Sequence, residues 1–176
     1  MYKRQRLKGV AERFGKIGSK PELQSLEFAP VLDEAIKYME RRLPKISREV
    51  HIETDLRANG LVKLNPELLQ WARENLMKNA MDALQTANNS KRLEITVRSY
   101  IGNKGLFIEV EDTGIGMYAT TKKNIFRPGY STKKRGWGLG LNLAKRIIDE
   151  YHGGELSVAK SEVGVGTTMQ IRLNMT

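Results

Sequence analysis

The stretch GWGLGLNLAKRIIDEYHGG, Gly136 to Gly154, sets three glycines at alternate positions before an amphipathic helix pattern and closes on a glycine pair. Glycine tolerates φ > 0 and close backbone approach. A glycine-rich turn at the start of a helix leaves backbone N–H groups facing forward, where an anion can receive them. The same residues also suit a hinge that caps a core helix. On this stretch alone the two readings stand level.

The flanking sequence supplies the architecture. After the helix expected over Leu139–Tyr151, ELSVAKS and TTMQIRL alternate as strands around a Gly-Val-Gly turn. Before it, Tyr118 to Arg135 is polar and basic with little periodicity, which reads as a loop or lid. RLEITVRSYI and GLFIEVED alternate on either side of Gly102-Asn103-Lys104-Gly105, the pattern of a hairpin. A long helix is expected from Pro66 to about Ala87, with proline in its first turn. HIETDL and LVKL read as short strands separated by the turn at Asn59-Gly60. Ala29 to Leu43 reads as a helix, with Val31, Leu32, Ala35, Ile36 and Met39 as its apolar stripe. The opening LKGVAERFGKIGSKPEL reads as the tail of a further helix, broken at Gly18, Ser19 and Pro21. This order predicts an α+β fold, a two-layer sandwich with a mixed, mostly antiparallel sheet and helices on one face.

Composition narrows the function. The 176 residues fit one domain with a small appendage and contain no cysteine, which rules out a disulfide framework or thiolate metal site. Two histidines, His51 and His152, leave little for a histidine-based metal centre. No apolar run approaches the ~18–20 residues of a membrane span, and no signal-peptide pattern opens the chain. The net charge of +10 raises nucleic-acid binding, but seven of the basic residues crowd between Met1 and Lys20 against one acid, Glu12. A basic helix end docking on an acidic partner explains that excess equally well, and no zinc-finger spacing or ribonucleoprotein-type strand accompanies it.

Three further features carry chemistry. Within ENLMKNAMDAL, Asn75 and Asn79 stand four residues apart and share a helix face beside Leu76, Ala80, Ala83 and Leu84. Stacked asparagines beside an apolar stripe suit neutral oxygen ligands toward a polar group, or a solvated stripe. In VEDTGIGM, Asp112 ends a strand and Gly114 and Gly116 allow a tight turn, which would present one carboxylate to a pocket. Taken singly each feature is weak.

Their order is more telling. NLMKNA, DTGIG, IFRPGYSTKKRGWGLGL and GVGTT follow one another in an arrangement that resembles the N, G1, F, G2 and G3 boxes of the GHKL ATPases, a resemblance that covers roughly residues 28 to 174. IFRPGYSTKK followed by GxGLGL resembles the catalytic ATP-binding domain of two-component sensor histidine kinases most. AERFGKIGSKPEL is similar to the end of the second helix of their dimerisation and phosphoacceptor domain. The resemblance implies a Bergerat-type fold over residues 28–176, with residues 1–27 as a helix end and linker. It implies ATP and Mg²⁺ as cofactors, with the γ-phosphoryl passed to a histidine on a separate domain. Asp112 would accept from the adenine amino group, and Gly114 and Gly116 would shape that pocket. Asn79 would hold Mg²⁺, with Asn75 on the phosphate side. Ser131, Thr132 and Lys133 would contact phosphates from the lid, hinged by Gly136, Gly138 and Gly140, and Thr167 would line the adenine end. The implied partners are the dimerisation domain and, indirectly, a response regulator, with no nucleic acid and no membrane contact. Without full dimerisation helices the chain is expected to be a cytoplasmic monomer, whose parent can be membrane-anchored.

Two positions depart from the family pattern. Asn75 stands where ATP-hydrolysing members carry a glutamate that activates water, and Glu74 points about 100° round the helix. Asp82 stands where many sensor kinases carry a base. Neither histidine lies in a phosphoacceptor motif, so both are expected to be structural and the chain reads as a kinase core separated from its substrate helix. No single catalytic residue is assigned. Three other readings compete: a stand-alone kinase acting on serine, a non-catalytic nucleotide switch, and a basic nucleic-acid binder.

Overall fold

A computed structural model describes residues 21–40, 50–87, 93–132 and 138–176. The helix tail expected near the N-terminus, Lys133 and Gly136 lie outside the described residues. Among the described residues, seven strands and four helices follow in chain order: β1 (Gln24–Glu27), α1 (Phe28–Glu40), β2 (His51–Leu56), β3 (Leu61–Leu64), α2 (Pro66–Thr86), β4 (Glu94–Gly102), β5 (Gly105–Asp112), α3 (Ala119–Asn124), α4 (Gly140–Arg146), β6 (Glu155–Glu162) and β7 (Gly166–Leu173). A π-turn, Ile147–Tyr151, extends α4.

The main sheet has the order β2-β4-β5-β7-β6, with β2 and β4 parallel and the other neighbours antiparallel. Period-two alternation sorts its faces. Ile95, Val97, Leu106, Ile108, Val110, Met169, Ile171 and Leu173 point into the core. Arg98, Tyr100, Glu109 and Gln170 point away from it, where Tyr100 and Gln170 both donate to Glu109. The apolar face of α2, from Leu69 through Ala72, Leu76 and Ala80 to Leu84, lies over this core between α1 and α4. The expected mixed sheet with helices on one face is what forms.

Three elements differ from expectation. β1 pairs antiparallel with β3 as a separate two-stranded sheet, and Met175 bridges to Val62 on it. Its four residues bury little, so no alternation marked them. α3 occupies part of the stretch read as irregular; none of its residues is buried, so it leaves no apolar periodicity in the sequence. Finally, the helix expected to run unbroken to Tyr151 widens at Ile147, where its carbonyl accepts from the His152 N–H.

Candidate functional site

α2 forms the floor of the site, because two elements that carry glycines converge on one of its faces. Asn75, Asn79 and Ala83 are spaced four apart and so stand nearly in line along the helix. At one end, a Cβ at Gly140 would lie 2.7 Å from Asn75 Oδ1. At the other, a Cβ at Gly114 would lie 2.7 Å from both the Ala83 backbone and the Asp112 carboxylate. These approaches place the start of α4 and the turn after β5 about 12 Å apart on one helix face. Asn79 lies between them, half-buried.

Asp112 sits in the β5 end nearest α2, with Ile95 beside it on β4 and Thr167 on β7. It is 6% exposed. Burial pushes its carboxyl pKa up to about 6, while the backbone N–H groups of Gly114 and Thr167 pull it down and the Glu111 charge adds to the rise. The Gly114 N–H donates to Asp112 Oδ1 at 2.9 Å, which fixes the side chain's direction. Thr167 is buried beside it, its Oγ1 2.9 Å from Ser161 Oγ. Gly116 lies against the turn between β6 and β7, where the Gly164 N–H donates to the Ile115 carbonyl at 2.8 Å. Asp112, Gly114, Gly116 and Thr167 are thus brought together as one end of the site.

The other end is built by α2 and the approach to α4. Asn75 Nδ2 donates to the Trp71 carbonyl at 3.0 Å, leaving Oδ1 toward Gly140. Gly138 has φ +63, and a Cβ there would lie 2.5 Å from the Gly129 backbone. The Gly129 N–H donates to the Gly138 carbonyl at 3.1 Å, so these two residues close the base of the intervening loop. Ser131 and Thr132 are exposed within it.

Some contributors escaped the sequence reading. Ser161 partners Thr167, yet nothing around it signals a site. Arg73 is a buried cation, 6% exposed, on the apolar face of α2. Its Nη1 donates to the Val31 carbonyl at 3.0 Å and its Nε has no partner. Burial lowers its pKa to about 10. Its spacing four from Leu69 and Met77 was the available signal. His51 is exposed on β2 and His152 is buried after the π-turn. Among the described residues no group of three or more His, Cys, Asp or Glu could hold a metal ion, and no helix is long and apolar enough to cross a membrane.

Residues 64–176 match the family model of histidine kinase-, DNA gyrase B- and HSP90-like ATPases. Sporulation kinase E of Bacillus subtilis is 31% identical over 154 residues, covering 80% of this chain and 20% of that protein. The sensor protein TdiS of Thauera aromatica is 37% identical over 89 residues, 49% of this chain and 16% of that protein. The chain therefore spans about a fifth of the length of such relatives. Among solved structures, the catalytic domain of the histidine kinase ThkA superposes with a TM-score of 0.71 at 22% identity, covering 87% of this chain and 97% of that one. ThkA in complex with the response regulator TrrA superposes at 0.74 and 19% identity, covering 99% of this chain and 49% of that one.

Proposed function

This chain belongs to the histidine kinase-, DNA gyrase B- and HSP90-like ATPase family, and from that premise we propose that it is the ATP-binding catalytic domain of a sensor histidine kinase, passing the γ-phosphoryl group of ATP to a histidine on a separate dimerisation domain. The carrying observation is a buried carboxylate, Asp112, aimed by the Gly114 N–H at one end of a helix face whose other end is Asn75 against Gly140. The residues fit the nucleotide. Asp112 offers an acceptor to the adenine amino group, and the space beside it is one that a Cβ at Gly114 would fill. Neutral oxygen from Asn79 suits Mg²⁺, which keeps several waters and takes few protein ligands. When bound, Mg²⁺ neutralises phosphate charge and ATP supplies the phosphoryl group.

The chain's own part is positioning. Asp112, Gly114, Gly116 and Thr167 hold the base; Asn75 and Asn79 face the phosphates from α2. Gly138 and Gly140 bring backbone N–H groups to the same end, and Ser131 and Thr132, in the loop whose base Gly129 and Gly138 close, would contact the phosphates. Such placement lowers the barrier to transfer without a nucleophile from this chain, the attacking imidazole coming from the dimerisation domain. Nothing on this turn of α2 activates water. Asn75 is an amide, and the Glu74 carboxylate accepts from Gln70 Nε2 at 3.1 Å instead. Transfer is therefore favoured over hydrolysis. The same reading makes the dimerisation domain the direct partner and a response regulator the indirect one. The relatives' and neighbours' names, sensor kinases and a kinase–regulator complex, support it.

The test is phosphotransfer in trans. With γ-labelled ATP and an added dimerisation domain, the expected product is acid-labile phosphate on that domain, with slow phosphate release. Acid-labile phosphate on His51 or His152, or rapid hydrolysis without transfer, contradicts the proposal.

A further inference from the structure

His152 closes a chain of hydrogen bonds that joins three parts of the fold. Its ring is 6% exposed. Nε2 accepts from the Asn65 backbone N–H at 3.1 Å, which obliges Nδ1 to carry the proton and donate to the Ile147 carbonyl at 2.8 Å. Burial pushes the imidazole pKa down and keeps the ring in this neutral form. Asn65 is the N-cap of α2. Its Oδ1 accepts from the Leu68 N–H at 3.1 Å, and its Nδ2 donates to the Glu22 carbonyl at 3.1 Å. The π-turn lets one carbonyl, Ile147, accept both the His152 ring and its backbone N–H.

These bonds fasten the start of α2 to the end of α4. At the other end of α4, Gly140 opens the helix against Asn75, midway along α2. The two fastenings lie about 15 Å apart along α2, and together they fix both the sliding and the rotation of two antiparallel helices. Between them Leu141, Ala144, Ile147 and Ile148 are buried in the core, and to this non-directional packing the His152 bonds add a directed constraint. The setting of α4 on α2 decides where Gly138 and Gly140 stand relative to Asn75 and Asn79. Asp112 is held independently, by Gly114 and Thr167.

We propose that His152 is a positioning residue for the phosphate half of the nucleotide site. It pins the N-cap of α2 to the last turn of α4 and, through Asn65, to the segment at Glu22 that leads into β1. This rests on the ATP site proposed above. A side chain that merely filled core space would influence both halves of the nucleotide alike, whereas the pin acts on one.

The experiment titrates the full chain by calorimetry with two probes, adenosine and a non-hydrolysable Mg-ATP analogue. His152→Leu keeps the core filled but offers neither bond. It is expected to weaken the analogue by about tenfold or more and to leave adenosine within about twofold of the unmodified chain. His152→Gln, whose Oε1 can accept from the Asn65 N–H, is expected to fall between them, with a selective analogue loss of about two- to fivefold. Equal losses on both probes, or no loss on either, overturn the proposal. If the leucine variant does not fold, the glutamine variant decides by the same criterion: selective loss supports the pin, and equal or absent loss refutes it. Failure of the unmodified chain to bind either probe refutes the nucleotide site itself and the pin with it.

Discussion

Asp112 should leave a signature in the pH dependence of folding that its neutral isostere lacks. In the folded chain its carboxyl is raised from 3.8 to about 6, first by burial. A raised folded-state pKa means that the native state holds the proton more tightly than the unfolded chain does. The stabilising effect of protonation is complete below the unfolded value near 3.8 and is lost as pH rises through about 6. At 1.36 kcal/mol per unit, the shift corresponds to about 3 kcal/mol. Roughly 1 kcal/mol of that is lost by pH 4.5 and all of it by pH 7.5, leaving a difference of about 2 kcal/mol between the two. Asp112→Asn keeps an acceptor for the Gly114 N–H and removes the titration. Urea unfolding of both proteins at the two pH values isolates the effect, because every other titrating group is shared. The unmodified chain should lose about 2 kcal/mol more than Asp112→Asn on going from pH 4.5 to 7.5. Identical losses would mean that Asp112 is solvated or already paired, and would remove the argument that the carboxylate waits for a donor.

Two further outcomes are expected. Arg73→Met should stabilise the chain by about 1–2 kcal/mol in urea unfolding, because the cost of burying the cation exceeds the bond lost to Val31; destabilisation beyond 1 kcal/mol would show that the guanidinium is better satisfied than its contacts indicate. Asn79→Ala should weaken Mg-ATP much more than metal-free ADP in paired titrations, whereas equal losses would make Asn79 a structural residue of α2.

The main layers were legible because their residues repeat with a physical period. α2 carries an apolar face, β4 and β5 alternate, and proline sits at the start of α2. The candidate site left its trace in the order of the glycine-bearing motifs, where Gly114, Gly116, Gly138, Gly140 and Gly166 each mark a close approach that a side chain would block. What did not show was contact between motifs. No spacing rule joins Gly140 to Asn75 or His152 to Asn65, because those pairs meet only once the helices are packed. α3 and β1 bury too little to leave a pattern, and the π-turn after Arg146 has no composition of its own. Arg73 was visible as a charge on an apolar stripe but is meaningful only once its burial is known.

The central claim is that Asp112 reads adenine, and parallel titration of ATP and GTP at pH 7.5 tests it most directly. At that pH the carboxylate is ionised and can only accept, so guanine would set its carbonyl oxygen against a second acceptor. That mismatch costs on the order of 2–4 kcal/mol, or roughly 30- to 1,000-fold in affinity. Below pH 6 a protonated Asp112 could donate to guanine, so the discrimination should shrink there. The expected result at pH 7.5 is ATP bound at least about 30-fold more tightly than GTP, with both the affinity and most of the preference lost in Asp112→Ala. GTP binding within about threefold of ATP by the unmodified chain would contradict the account.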